Sequence, residues 1–184
     1  MTCIVAVKDG NCVVMGSDSA SIDNDYIETG QTKSWSLHLD DEEYLIGFAG
    51  NFAEGDFIRY SFEWPEKKKW QSIHTWLVKD VQPLLQKKIK ERFEDRKCVD
   101  IDWILLFCTK PGKFYILSMC GHVEIGNKNY ATIGSARDTV NGVLESLEYE
   151  HSTLVSWEKV ELALTIASKF HASVQGPFKI NALV

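Results

Sequence analysis

Thr2 has the greatest chemical potential of any residue in this sequence. It follows Met1, and its small side chain predicts that Met1 is removed. A single residue would then carry both a hydroxyl and a free α-amine. An α-amine titrates near pH ~7.7–8.0, close enough to neutrality to take a proton from that hydroxyl. Nucleophile and base would be one residue. No competing motif is present: there is no G-x-S-x-G, H-E-x-x-H, Walker loop or dinucleotide fingerprint. Gly47-Phe48-Ala49-Gly50 has no GK[ST] after it and is no phosphate loop. The five histidines show no ligand spacing and the five cysteines form no CxxC, so neither a metal nor another cofactor is expected.

The elements that must hold such a residue can be read from apolar patterning. Residues 4–7 and 12–15 form two short apolar strands, joined by Asp9-Gly10-Asn11 as a tight turn. Residues 22–32 are polar, with a turn at Asp23-Asn24-Asp25. Trp35, Leu37 and Leu39 alternate as a half-buried strand, and residues 44–49 form the next. Phe52, Phe57, Tyr60 and Phe62 can share a helical face before Pro65. A second helical stretch carries Trp76, Leu77, Val81, Leu84, Leu85 and Ile89, and its Lys87, Lys88 and Lys90 read as a solvated face. Strands resume at residues 102–109 and 113–117 around the Lys110-Pro111-Gly112 turn, then at 123–125 and 130–133. Two more helices follow, around Val140–Leu147 and Val160–Ala167, and residues 178–184 close as a strand. Strands and helices segregated in this order predict an α+β fold: two sheets face to face, each covered outside by a helix pair. No linker interrupts residues 1–184, which predicts a single domain.

The ordered motifs carry more weight than Thr2 alone. Thr2-Cys3-Ile4-Val5-Ala6-Val7, Val13-Val14-Met15-Gly16-Ser17-Asp18, and Lys33 before Trp35 resemble the start of proteasome-type N-terminal nucleophile hydrolases. The likeness is to HslV-type peptidases and their bacterial and phage-encoded relatives. It continues at residues 47–53, at Ile133-Gly134-Ser135 and from Leu162 to the end. The resemblance implies a four-layer αββα sandwich. It implies catalytic roles for Thr2 as nucleophile, Lys33 as the cation that activates it, and Asp18 as the holder of that lysine. Ser135 would hydrogen-bond near the terminal amine, and Gly50 would offer a backbone N–H to the oxyanion. Read singly, Asp18 and Lys33 are turn residues, Ser135 a helix N-cap and Gly50 a helix-entry glycine. Lys33 also stands at a polar strand entry, where its replacement would cost little core. Two departures from the family pattern stand out. Ser34 replaces an apolar residue, and His171 and Val174 stand where many relatives carry an acid and a Ser or Thr.

Composition limits the remaining possibilities. The chain of 184 residues is 45% hydrophobic and 25% charged, with 20 basic against 26 acidic side chains. A net charge of −6 lacks the positive field that nucleic-acid binding requires. No apolar run approaches the roughly 20 residues of a membrane span, and no signal-peptide pattern opens the chain. Scattered cysteines read as reduced thiols, which points to the cytoplasm. The resemblance implies a homo-oligomeric ring, an ATP-dependent unfoldase as partner, and peptide or unfolded protein as substrate. Trp64, Trp70 and Trp76 exceed what one helical hairpin needs, which fits core packing and inter-subunit contacts equally; with the ring that the resemblance implies, the contacts are expected among the helices of residues 52–93. Two other functions remain open: a non-catalytic ring-forming protein, and an amidase acting on a small amide.

Overall fold

Side chains of the first strand alternate between two apolar surroundings, not between core and water. Ile4 and Ala6 enter one cluster, while Cys3, Val5 and Val7 enter another. A sheet buried on both faces explains the continuous apolar runs. The computed structural model describes residues 2–23, 26–93 and 103–184 and shows what covers each face.

The chain runs β1 (Cys3–Asp9), β2 (Cys12–Ser17), β3 (Ser21–Asp23), β4 (Tyr26–Glu28), β5 (Ser34–Leu39) and β6 (Glu42–Ala49). Helices α1 (Phe52–Tyr60), α2 (Ile73–Trp76) and α3 (Gln82–Phe93) follow. Strands β7 (Ile104–Thr109), β8 (Lys113–Ser118), β9 (Val123–Ile125) and β10 (Tyr130–Gly134) precede α4 (Arg137–Tyr149) and α5 (Ser156–Phe170). Strand β11 (Lys179–Leu183) is the last element. One sheet has the order β10-β1-β2-β11 and the other β5-β6-β7-β8-β9, with antiparallel pairing throughout.

Ile4, Met15 and Leu106 are fully buried between the sheets. Each contributes roughly 1.5–3 kcal/mol by leaving water. The sheets approach closely at Gly47, where an added Cβ would sit 2.7 Å from Ile4 Cγ2. Val140, Leu144, Val160 and Leu164 of α4 and α5 cover the outer face of the first sheet. Phe57, Leu85 and Ile89 of α1 and α3 cover the second. The fold is therefore the four-layer αββα sandwich.

Several details differ from the sequence expectation. The polar stretch after Asp18 contains the β3–β4 hairpin; its expected turn at Asn24-Asp25 lies outside the described residues. Cross-strand pairing, not apolar alternation, holds this hairpin, so periodicity gave no signal. Residue 102, expected to begin a strand, also lies outside the described residues; β7 begins at Ile104. The second helical stretch contains a π-helical turn, Leu77–Val81, just before Pro83. Proline has no N–H to donate and crowds the preceding turn, and the wider π turn absorbs this. Trp76 is fully buried with its Nε1–H donating to the Pro65 carbonyl at 3.0 Å, and Trp64 packs against the same core. Only Trp70 of the three tryptophans is exposed, at 78%. Core packing therefore accounts for the other two.

Candidate active site

Register brings the candidate residues together. Ile4 pairs with Ser17, so the start of β1 lies beside the end of β2. The Cys3 N–H donates to Asp18 Oδ1 at 2.8 Å, and the Asp18 N–H returns a bond to the Cys3 carbonyl at 3.1 Å. Thr2 is thereby held next to Asp18. Lys33 immediately precedes β5, and its carbonyl accepts from the Phe48 N–H at 2.9 Å. Its ammonium donates to Asp18 Oδ2 at 2.8 Å.

This ion pair is no solvated turn: Lys33 is 2% exposed and Asp18 0%. The carboxylate accepts from the Cys3 and Ala20 N–H groups as well as Lys33, so its buried charge is fully partnered. The expectation that Lys33 contributes little to the core is corrected by this burial. Burial pushes the Lys33 ammonium below its usual 10.5, while the attraction of Asp18 opposes the shift. The adjacent Cys3 thiol is pushed up to about 12 by burial, with Asp18 adding to the shift and Lys33 opposing it. A thiolate is disfavoured there.

β10 supplies the third wall. Cys3 pairs with Gly134, and the Ser135 N–H donates to the Thr2 carbonyl at 2.9 Å. Ser135 Oγ lies 3.4 Å from the same oxygen, so the backbone bond is the firmer contact. Ser135 is not the N-cap of α4: that position is Ala136, which has no side-chain cap bond. Gly134 has φ +98°, and a Cβ there would fall 2.1 Å from the Thr2 carbonyl oxygen. Only glycine permits both that conformation and that approach. The α1 N-cap is Asn51, whose Oδ1 accepts from the Ala53 N–H at 2.9 Å, and Gly50 precedes it.

Thr2, Lys33 and Gly50 share a cleft of about 170 Å³ with Trp35, Phe52 and Arg59. Larger depressions of about 740 and 600 Å³, beside the α4–α5 connection and the β5–β6 turn, do not reach Thr2. Chemistry, not size, marks the site. The expected shared apolar face of α1 is also corrected: Phe57 is buried, whereas Phe52 and Tyr60 turn toward this cleft.

Both departures from the family pattern have physical accounts. Ser34 is fully buried, and its Oγ lies 2.8 Å from Ser17 Oγ, so each hydroxyl satisfies the other. Val174 is fully buried within the α4–α5 core. His171 Nε2 lies 2.8 Å from Thr139 Oγ1, tying the end of α5 to the first turn of α4. Sequence reasoning missed the Ser17–Ser34 pair and Arg59. The one available signal was a serine at the end of one strand and another at the start of a later one.

The proteasome subunit family model matches residues 1–176. The chain belongs to that family. HslV from Trypanosoma brucei has a TM-score of 0.69 at 15% identity, covering 99% of both chains. BPH from Thiobacillus denitrificans, solved in complex with epoxomicin, has a TM-score of 0.75 at 15% identity, over 99% of this chain and 98% of that one. Anbu from Pseudomonas aeruginosa, solved as a helical assembly, has a TM-score of 0.69 at 14% identity, over 100% and 81%. A search of curated proteins returned no match. These identities speak for the fold. Among the described residues, no helix is long and apolar enough to cross a membrane.

Proposed function

We propose that this proteasome-family chain is a threonine peptidase whose nucleophile is Thr2 after removal of Met1. The observation that carries this reading is the buried Lys33–Asp18 pair, at 2.8 Å, beside a Thr2 that opens onto a cleft. The α-amine of Thr2 takes the hydroxyl proton as Oγ attacks the peptide carbonyl. The Lys33 cation favours the developing alkoxide, and Asp18 fixes its position. The N–H of Gly50 faces the oxyanion. Collapse of the intermediate breaks the C–N bond, the leaving amine takes the proton, and water then hydrolyses the threonyl ester. Residues 1–184 act as one catalytic domain within a homo-oligomeric ring in the cytoplasm, supplied with unfolded chains by an ATP-dependent unfoldase. Tyr60, Trp70 and Val78 are exposed among the helices expected to form its contacts.

Intact-mass measurement and peptide hydrolysis test this together. The expected result is loss of Met1, cleavage of peptide substrates, inhibition by epoxomicin, and no cleavage by Thr2→Ala. Native protein that fully retains Met1 overturns the reading. Light scattering should give an oligomer; a monomer near 20.9 kDa at micromolar concentration overturns the ring. A second reading, a non-catalytic ring-forming subunit, is favoured by one observation. The positions of the family's acid and Ser/Thr hold His171, bonded to Thr139, and the core residue Val174.

A further inference from the structure

The cleft beside Thr2 has a distinctive charge inventory. Its charged lining residues are Lys33, Asp56 and Arg59. Lys33 is committed to Asp18 at 2.8 Å. Asp56 is exposed, one helical turn before Arg59 on α1. Arg59 is half-buried and forms no ion pair with a described carboxylate. Its guanidinium instead lies over two aromatic rings, 5.9 Å from the Trp35 centroid and 4.7 Å from that of Tyr60. The aromatic faces hold the planar group and leave its N–H fork for a ligand. A second cation stands nearby: Lys179 is held below its usual 10.5 by burial first and by the Arg59 charge second.

The recess is too small for a chain segment or a typical small-molecule ligand, whose pockets run to ~300–1,000 Å³. It suits one side chain. If Thr2 Oγ attacks a peptide carbonyl, the side chain on the adjacent carbon is nearest to this recess. An Arg fork with no ion-pair partner among the described carboxylates prefers a carboxylate, which it can bind with two parallel N–H···O bonds.

We propose that Arg59 makes the cleft select an Asp or Glu side chain on the residue whose carbonyl Thr2 attacks. This deepens the peptidase reading and rests on it for the placement of the substrate. Arg59 is the specificity-determining residue, and Asp56 competes weakly for it from the rim. A charge-assisted bond of this kind corresponds to a preference of roughly 10- to 100-fold for Glu over its neutral isostere Gln.

The test uses matched peptides that differ only in Glu or Gln at that position. In the wild type, kcat/KM should favour Glu by ~10-fold or more, and added salt should reduce the ratio. Arg59→Gln should bring the ratio to about one, Arg59→Lys should restore part of it, and Asp56→Asn should raise it. The hydrolytically inert Thr2→Ala protein provides a separate binding measurement with the same peptides. Tighter binding of the Glu peptide without any wild-type hydrolysis would overturn the peptidase reading and leave the selectivity of the cleft standing. Equal binding of both peptides, or of neither, overturns the inference whatever the rates. So does a Glu preference that survives Arg59→Gln.

Discussion

Replacing Lys33 with alanine tests the energetics of the site most directly. Lys33 and Asp18 are 2% and 0% exposed, with Nζ and Oδ2 2.8 Å apart. Removing one member of a buried pair leaves an uncompensated charge and typically costs about 3–5 kcal/mol. Asp18 keeps its bonds from Cys3 and Ala20, at 2.8 and 3.1 Å, so the lower end, about 3 kcal/mol, is expected here. For a chain of this size that lowers Tm by about 6–12 °C. Lys33→Ala should thus lose hydrolysis and also lose stability. Thermal unfolding followed by circular dichroism measures the deficit. Asp18→Asn/Lys33→Met should cost less than Lys33→Ala. Lys33 also gives the wild type a pH dependence. With its folded-state pKa below 10.5, Lys33 binds fewer protons folded than unfolded between that lowered value and 10.5. Its titration therefore adds stability as pH rises through that window. A deficit under ~1 kcal/mol would refute the buried-pair account.

Other consequences are equally accessible. Gly134→Ala places a Cβ against the Thr2 carbonyl at φ +98°, so it should displace Thr2, abolish hydrolysis and cost about 1–3 kcal/mol in urea unfolding. Ser34→Ala leaves the buried Ser17 hydroxyl unpartnered and should cost about 1–3 kcal/mol, whereas Ser17→Ala/Ser34→Ala should recover much of it. A double variant no better than the single one would rule out the mutual hydrogen bond. Among the described cysteines, exposed Cys120 should alkylate first at pH 8, as mapped by mass spectrometry. Cys3 and Cys108 are buried with thiols pushed upward and should react only on unfolding.

Much of the fold was legible because both sheets are buried on both faces. Continuous runs such as Ile104-Leu105-Leu106-Phe107 leave few alternatives to an inner strand, and the helical stretches carry clear apolar periodicity. The β3–β4 hairpin was not legible, since residues 21–28 have no apolar alternation, and the structure shows them paired as Ser21↔Glu28, Ile22↔Ile27 and Asp23↔Tyr26. The π-helical turn was missed because its residues keep a near-helical apolar spacing, and only backbone crowding at Pro83 sets it apart.

For the site, the sequence alone determined the order of the parts: a small hydroxyl residue after Met1, an acid just after the second strand, a lysine just before the strand of Trp35, and glycines at the strand ends. That order is chemical and local, and it survives any detail of packing. What packing decides is the environment of each part. Lys33 reads as a polar strand entry until β5 is laid against the first sheet, where it becomes a desolvated cation with Asp18 as its partner. Ser34 reads as a departure until Ser17 is found 2.8 Å away. Arg59 gives no signal in the sequence and gains its place only where the end of α1 meets Trp35 at the rim of the cleft. Burial, partner and charge balance arise from elements far apart in the chain, so only the tertiary structure could assign them.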